Sequence, residues 1–175
     1  MQTRHLTLVA MLALAACVSS PPPPAPKAVS APPGAAAMAP APALTGDWND
    51  WPFTPGDWTY SREGRGSVGQ FGASGRRAML SLRCDMQTLR VILSREASAP
   101  AQHVVIRTSS MTKQLPAQLT SGTPADVAVE IMTNDPILDA MAFSRGRILV
   151  DAEGQQPVIV PSWAEIARIV EDCRG

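Results

Sequence analysis

Imidazole, the side chain that exchanges protons most readily near neutral pH, is almost missing from this sequence. Of its two histidines, His5 lies in an apolar N-terminal stretch, which leaves His103 as the one candidate base or nitrogen ligand. His103 heads an alternating segment on the side opposite Val104 and Ile106, so it faces outward. No GxSxG elbow accompanies it, and no close Cys/His spacing of the zinc-binding kind is present. No catalytic residue, metal ligand or cofactor site is therefore assigned. An excess of charge is missing too. Fifteen basic and fifteen acidic residues leave a formal net charge of zero, which removes the long-range pull toward nucleic acid. Lysine occurs only at Lys27 and Lys113, so arginine carries the positive charge. The apolar run from Leu6 to Ala13 is far shorter than the ~20 residues a membrane-spanning helix needs. Gly64-Arg65-Gly66 and Gly72-Ala73-Ser74-Gly75 lack the GK[ST] continuation of a phosphate-cradling loop and read as hairpin turns. Asp135 and Asp139 lie four apart, but Asp135 is better explained as the cap of a helix opened by Pro136.

The chain begins with Arg4 ahead of that apolar run, then Leu14-Ala15-Ala16-Cys17, the layout of a secretory signal over residues 1–16. The stretch resembles the lipobox of bacterial lipoproteins. That resemblance implies acylation of Cys17, which becomes the first residue of the mature chain and its link to a membrane. The alternative is a plain secretory signal with Cys17 an ordinary residue. Val18 in place of an aspartate is what lipoproteins sent to the outer membrane tend to show, so the expected location is the cell envelope, outer membrane facing the periplasm. Residues 17–45 are dominated by proline, alanine and serine. They offer too little apolar surface to offset the entropy of ordering a backbone, and read as a tether. Roughly 28 residues at ~3.1 Å each reach up to ~80 Å when extended.

With Cys17 assigned to lipid, Cys84 and Cys173 remain as a pair, and an oxidising compartment favours their union. Residues 46–175 are expected to form a single globular domain. Alternating segments mark strands at Asp57–Glu63, Ser67–Phe71, Met79–Cys84, Val104–Ser109, Val127–Ile131, Arg147–Ala152 and Val158–Val160. Leu89, Val91 and Leu93 are read as the inward face of another strand, and Met111–Leu119 as a weak one interrupted at Pro116. Ile137–Phe143 is a short helix with Ile137, Leu138, Met141 and Ala142 inward. The last helix starts at a capping box, Ser162 with Glu165, and turns Trp163, Ile166, Ala167, Ile169, Val170 and Cys173 to one face. The fold class is α+β: a β-rich antiparallel sheet or sandwich, a short helix, and a C-terminal helix packed on the sheet.

Two groups of surface residues invite a function. Trp48 and Trp51, in a loop punctuated by Pro52 and Pro55-Gly56, either plug the open end of the core or form an aromatic surface for glycan stacking. Arg145 and Arg147 flank Gly146 and either grip an anion or partner with forked donors, or serve the end of the short helix, where cations suit the dipole. The runs LSLRCD, RTSS, DPILDAMAFSRGR and PSWAEIARIVEDCR resemble a family of small uncharacterised lipoproteins of Gram-negative envelopes. The likeness spans Trp58 to Arg174 and implies no activity and no site residues. The reading is a membrane-anchored periplasmic lipoprotein, a non-enzymatic binding or scaffolding module whose partners are the membrane, through lipid on Cys17, and envelope proteins or cell-wall glycan. The alternatives are a periplasmic hydrolase of cell-wall material and a surface-exposed host- or target-binding protein.

Overall fold

Residues 44–175 are described by the computed structural model. Cys17, the signal and nearly all of the tether lie outside them. Among the described residues a 3₁₀ turn (Trp48–Asp50) is followed by ten strands and two helices. In chain order the strands are β1 (Asp57–Glu63), β2 (Gly66–Gly72), β3 (Leu80–Asp85), β4 (Arg90–Glu96), β5 (His103–Arg107), β6 (Thr112–Pro116), β7 (Gln118–Leu119), β8 (Asp126–Met132), β9 (Arg147–Ala152) and β10 (Val158–Pro161). The helices are α1 (Pro136–Ala142), between β8 and β9, and α2 (Ala164–Arg174), after β10. Every strand pair is antiparallel. One sheet has the order β1-β2-β3-β4-β8-β7 and the other β10-β9-β5-β6. The α+β, sheet-rich expectation is met.

Register explains which face is buried. Gly69 pairs with Leu82 and Phe71 with Leu80, while Leu82 pairs with Leu93 and Cys84 with Val91. Val91 and Leu93 pair in turn with Ile131 and Val129. Side chains alternate across a strand, so these residues share one face, and all the large ones are buried. In the other sheet Val104, Ile106, Ile148, Val150, Val158 and Val160 do the same. The two faces and the helices close over one core. The chain passes between sheets at Pro116, which has no N–H for a ladder. Ala117 then donates to the Gln102 carbonyl at 2.8 Å, and β7 joins the first sheet.

Four details depart from expectation. Leu89 is exposed with φ +51°, because the tight β3–β4 turn uses it in the left-handed region, and the strand starts only at Arg90. The inward face of α1 is Ile137, Leu138, Ala140 and Met141. Ala142, the last helical residue, sits at its open end and is half-buried. The Ser162 capping box does not form. Trp163 occupies the cap position without a side-chain bond, and the Ser162 hydroxyl donates instead to the Met141 carbonyl at 2.9 Å. Trp163 is consequently exposed, whereas Ile166, Ile169, Val170 and Cys173 face inward as expected. Asp135 does cap α1, accepting from the Ile137 N–H at 3.0 Å.

Helix α2 is fastened at several points. The Tyr60 hydroxyl donates to Asp172 at 2.6 Å, and the Arg168 guanidinium lies 3.9 Å from the Tyr60 ring centroid. Cys84 and Cys173 are joined across a Cα–Cα distance of 5.3 Å, 89 residues apart in sequence. Gly66, at φ +152°, passes so close to the Cys84 carbonyl oxygen that a Cβ would collide with it. The chain-entropy treatment assigns about 4–5 kcal/mol to a loop of this length. Both thiols should resist alkylation in the folded chain until reductant is added, and Cys173→Ala should cost about 2–5 kcal/mol in denaturant unfolding. Free labelling of both in unreduced protein contradicts the link.

Candidate functional site

The outward side of the second sheet is not left bare. Leu149 and Ile159 stand on the opposite face from the core-facing valines, yet are only 4% and 2% exposed. Residues 45–54 cross that side as a strap. At one end the Thr54 N–H donates to the Ile159 carbonyl at 2.8 Å, and the Ile159 N–H donates to the Thr54 hydroxyl at 2.9 Å. Those two bonds occupy the free edge of β10. In the middle, Arg147 Nη1 donates to the Trp51 carbonyl at 2.6 Å, and its guanidinium lies 4.7 Å from the Phe53 ring centroid. The Trp51 indole N–H reaches the Thr45 carbonyl at 3.1 Å. At the other end Asp47 caps the 3₁₀ turn through the Asn49 N–H, and Arg107 stacks over Trp48 at 5.7 Å. Burying each of Leu149 and Ile159 contributes about 1.5–3 kcal/mol.

The tryptophans take different places. Trp58 enters the core, tilted against Phe71 at 5.4 Å, with its N–H on the Pro161 carbonyl at 3.0 Å. Trp48 and Trp51 lie half-buried on the strap. The arginines divide as well. Arg147 is committed to the strap. Arg145 is exposed, and its guanidinium enters no hydrogen bond or ion pair among the described residues. Gly146 between them takes a positive φ, +90°, but the two guanidiniums do not form one grip.

Beside Trp48 lies an open cleft of about 440 Å³, lined by Trp48, Asn49 and residues 107–112. The bend that walls it is held stiffly. Thr108 Oγ1 accepts from the Met111 N–H at 2.9 Å, and the Ser109 N–H donates to Ser144 Oγ at 3.0 Å. The Arg145 N–H returns a bond to Ser109 Oγ at 2.8 Å. Arg107 is among the residues that line the cleft. The buried Nε of Arg107 has no hydrogen-bond partner in the described residues. Nearby on β9, burial raises the Asp151 carboxyl above its ordinary range, opposed by the charges of Arg95 and Arg107. Arg95 is itself buried, which lowers its basicity; it donates to the Val150 and Gln156 carbonyls at 3.2 and 2.8 Å. The cleft lining offers one guanidinium, one indole and several hydroxyls, and holds no carboxylate or imidazole. It is equipped to hold a ligand with an anionic group and a stackable face.

His103 is exposed on β5. Asp135 is occupied with its cap and with Lys113, and Asp139 pairs with Arg174 at 2.7 Å. No cluster of three metal-ligating side chains occurs among the described residues. Sequence reasoning missed Arg107, although the signal was there: an arginine on the outward side of an apolar strand, followed at once by Thr108, Ser109 and Ser110.

Arg147→Lys should lower the melting temperature by about 3–6 °C, since lysine cannot both reach the Trp51 carbonyl and lie flat on Phe53. Arg145→Lys should change it by less than about 2 °C, since exposed substitutions stay within about 0.5 kcal/mol. The reverse order in differential scanning calorimetry contradicts the assignment.

No protein family, curated protein or solved structure matches this chain, so its function is read from its own residues.

Proposed function

We propose that this chain is a lipid-anchored module of the cell envelope that binds cell-wall glycan without transforming it. The anchor is the lipid on Cys17, in the outer membrane facing the periplasm, and the tether is residues 17–45. The observation that carries the binding role is the Trp48–Arg107 cleft. An indole stacks on the apolar face of a sugar ring, a guanidinium pairs with a carboxylate in a planar fork, and the hydroxyls of Ser109, Ser110 and Thr112 match sugar hydroxyls. The joined Cys84 and Cys173 favour an oxidising compartment.

The test has two arms. Cys17→Ser should shift the protein from the membrane pellet to the soluble fraction, because the lipid chains are its anchor. The unlipidated full chain should co-sediment with purified peptidoglycan sacculi, and Arg107→Lys and Trp48→Ala should each reduce that about tenfold, a loss of roughly 1.4 kcal/mol. A Cys17→Ser protein that still pellets unaggregated with membranes contradicts the anchor. Absence of co-sedimentation, or variants that bind as the parent does, contradicts the cleft.

A further inference from the structure

Two opposite charges stand one diagonal apart on the outward face of the second sheet, and they are not bonded to each other. Register places them. Arg107 pairs with Leu149 on one side and Thr112 on the other, while Val105, two residues earlier, pairs with Asp151 and Gln114. Side chains alternate across a strand, so all six share the face that bears Leu149. Asp151 is thus the diagonal neighbour of Arg107 across the β5–β9 ladder, at a spacing of about 7–8 Å that long side chains can bridge. Arg107 instead stacks over Trp48 and enters no hydrogen bond or ion pair among the described residues, its buried Nε included. The Asp151 carboxyl feels the charges of Arg95 and Arg107 but accepts no hydrogen bond from either. The Arg95 guanidinium is taken up by the Val150 and Gln156 carbonyls.

A half-buried carboxylate without a bonded partner has lost hydration and recovered nothing for it. Asp151 is in that state, half-buried and with its carboxyl raised by desolvation. Its row on the sheet, Asp151-Val105-Gln114, adjoins the row of Arg107 and Thr112, both of which line the Trp48 cleft. Val105 between the charges is half-buried, and Gln114 is exposed.

We propose that Arg107 and Asp151 together bind a zwitterionic amino-acid group, with its carboxylate on Arg107 and its ammonium on Asp151. Such a group stands at the free end of a diamino acid in a cell-wall stem peptide. The site rests on the glycan reading of the cleft and narrows it to glycan that carries such peptides. A guanidinium takes a carboxylate in a planar fork, and a carboxylate takes an ammonium, each through charge-assisted bonds of about 2.7–2.9 Å. A ligand bringing only an anion would set it near Asp151, and one bringing only a cation would set it near Arg107. Like charges brought together oppose binding, so the pair selects a ligand with both signs close together. His103, the exposed imidazole of this face, lies on the side of Asp151 away from Arg107 and does not stand between the two charges.

The full chain carrying Cys17→Ser, mixed with purified sacculi and small competitors, tests this. Diaminopimelic acid has an ammonium and a carboxylate at each end. Pimelic acid lacks the ammoniums, and cadaverine lacks the carboxylates. Millimolar diaminopimelic acid should displace the protein from sacculi, and the other two should not. Asp151→Asn should weaken co-sedimentation about tenfold and erase the advantage of diaminopimelic over pimelic acid. Its melting temperature should not fall, since Asp151 has no bonded partner to lose. Equal displacement by pimelic acid, or an Asp151→Asn chain that behaves as the parent, overturns the zwitterion site and leaves the glycan reading intact. So does undiminished binding to sacculi stripped of stem peptides by an amidase. A chain that ignores sacculi but binds diaminopimelic acid in titration calorimetry, and loses it with Asp151→Asn, supports the site and removes the glycan reading. Absence of both overturns both.

Discussion

Arg147 is the residue on which the outward half of this molecule depends. Its guanidinium bonds the Trp51 carbonyl and lies on Phe53, so it presses the strap onto Leu149 and Ile159. Once the strap is in place, Trp48 is delivered to Arg107 and the cleft has its second wall. An arginine suits this position because one planar group donates hydrogen bonds at its edge and stacks on its face. A lysine would supply charge alone.

The inward half rests on different physics. Alternating strands bury a continuous apolar face on each sheet, and α2 lies against β2 and β3 where Gly69 leaves room for Ile169. The link from Cys84 to Cys173 joins the far end of that helix to the sheet. It restricts the unfolded chain more than it strengthens the folded one. Arg95 is the exception in this core: a cation under the second sheet, bonded to the Val150 and Gln156 carbonyls. Its cost in desolvation is offset by those bonds and by the charge of Asp151.

Strand positions were readable from the residues wherever alternation was strong, as in Leu80, Leu82, Cys84 and Val91, Leu93. The helix at Pro136 was readable because Asp135 caps it locally. What was not readable is non-local. Trp51 meets Arg147 across 96 residues of sequence, and no periodicity announces a strap. Ser162 and Glu165 had the spacing of a capping box, but Met141, 21 residues earlier, offered the hydroxyl a competing carbonyl. Arg145 and Arg147 looked equivalent until the pleat placed Arg147 on the strap side of β9 and left Arg145 in the turn. Trp48 drew notice as an aromatic, but its partner Arg107 did not, since an arginine on an outward strand position is ordinary until something is seen to cover it.

One guanidinium pins the strap and so builds the surface. Amide hydrogen exchange on the full chain, compared between the parent and Arg147→Ala, tests it most directly. Amides of residues 45–54, and the Ile159 amide held by Thr54, should lose protection in the variant, while those of β3 and β4 keep theirs. Protection of the strap and of Ile159 that survives the loss of Arg147 would contradict the account.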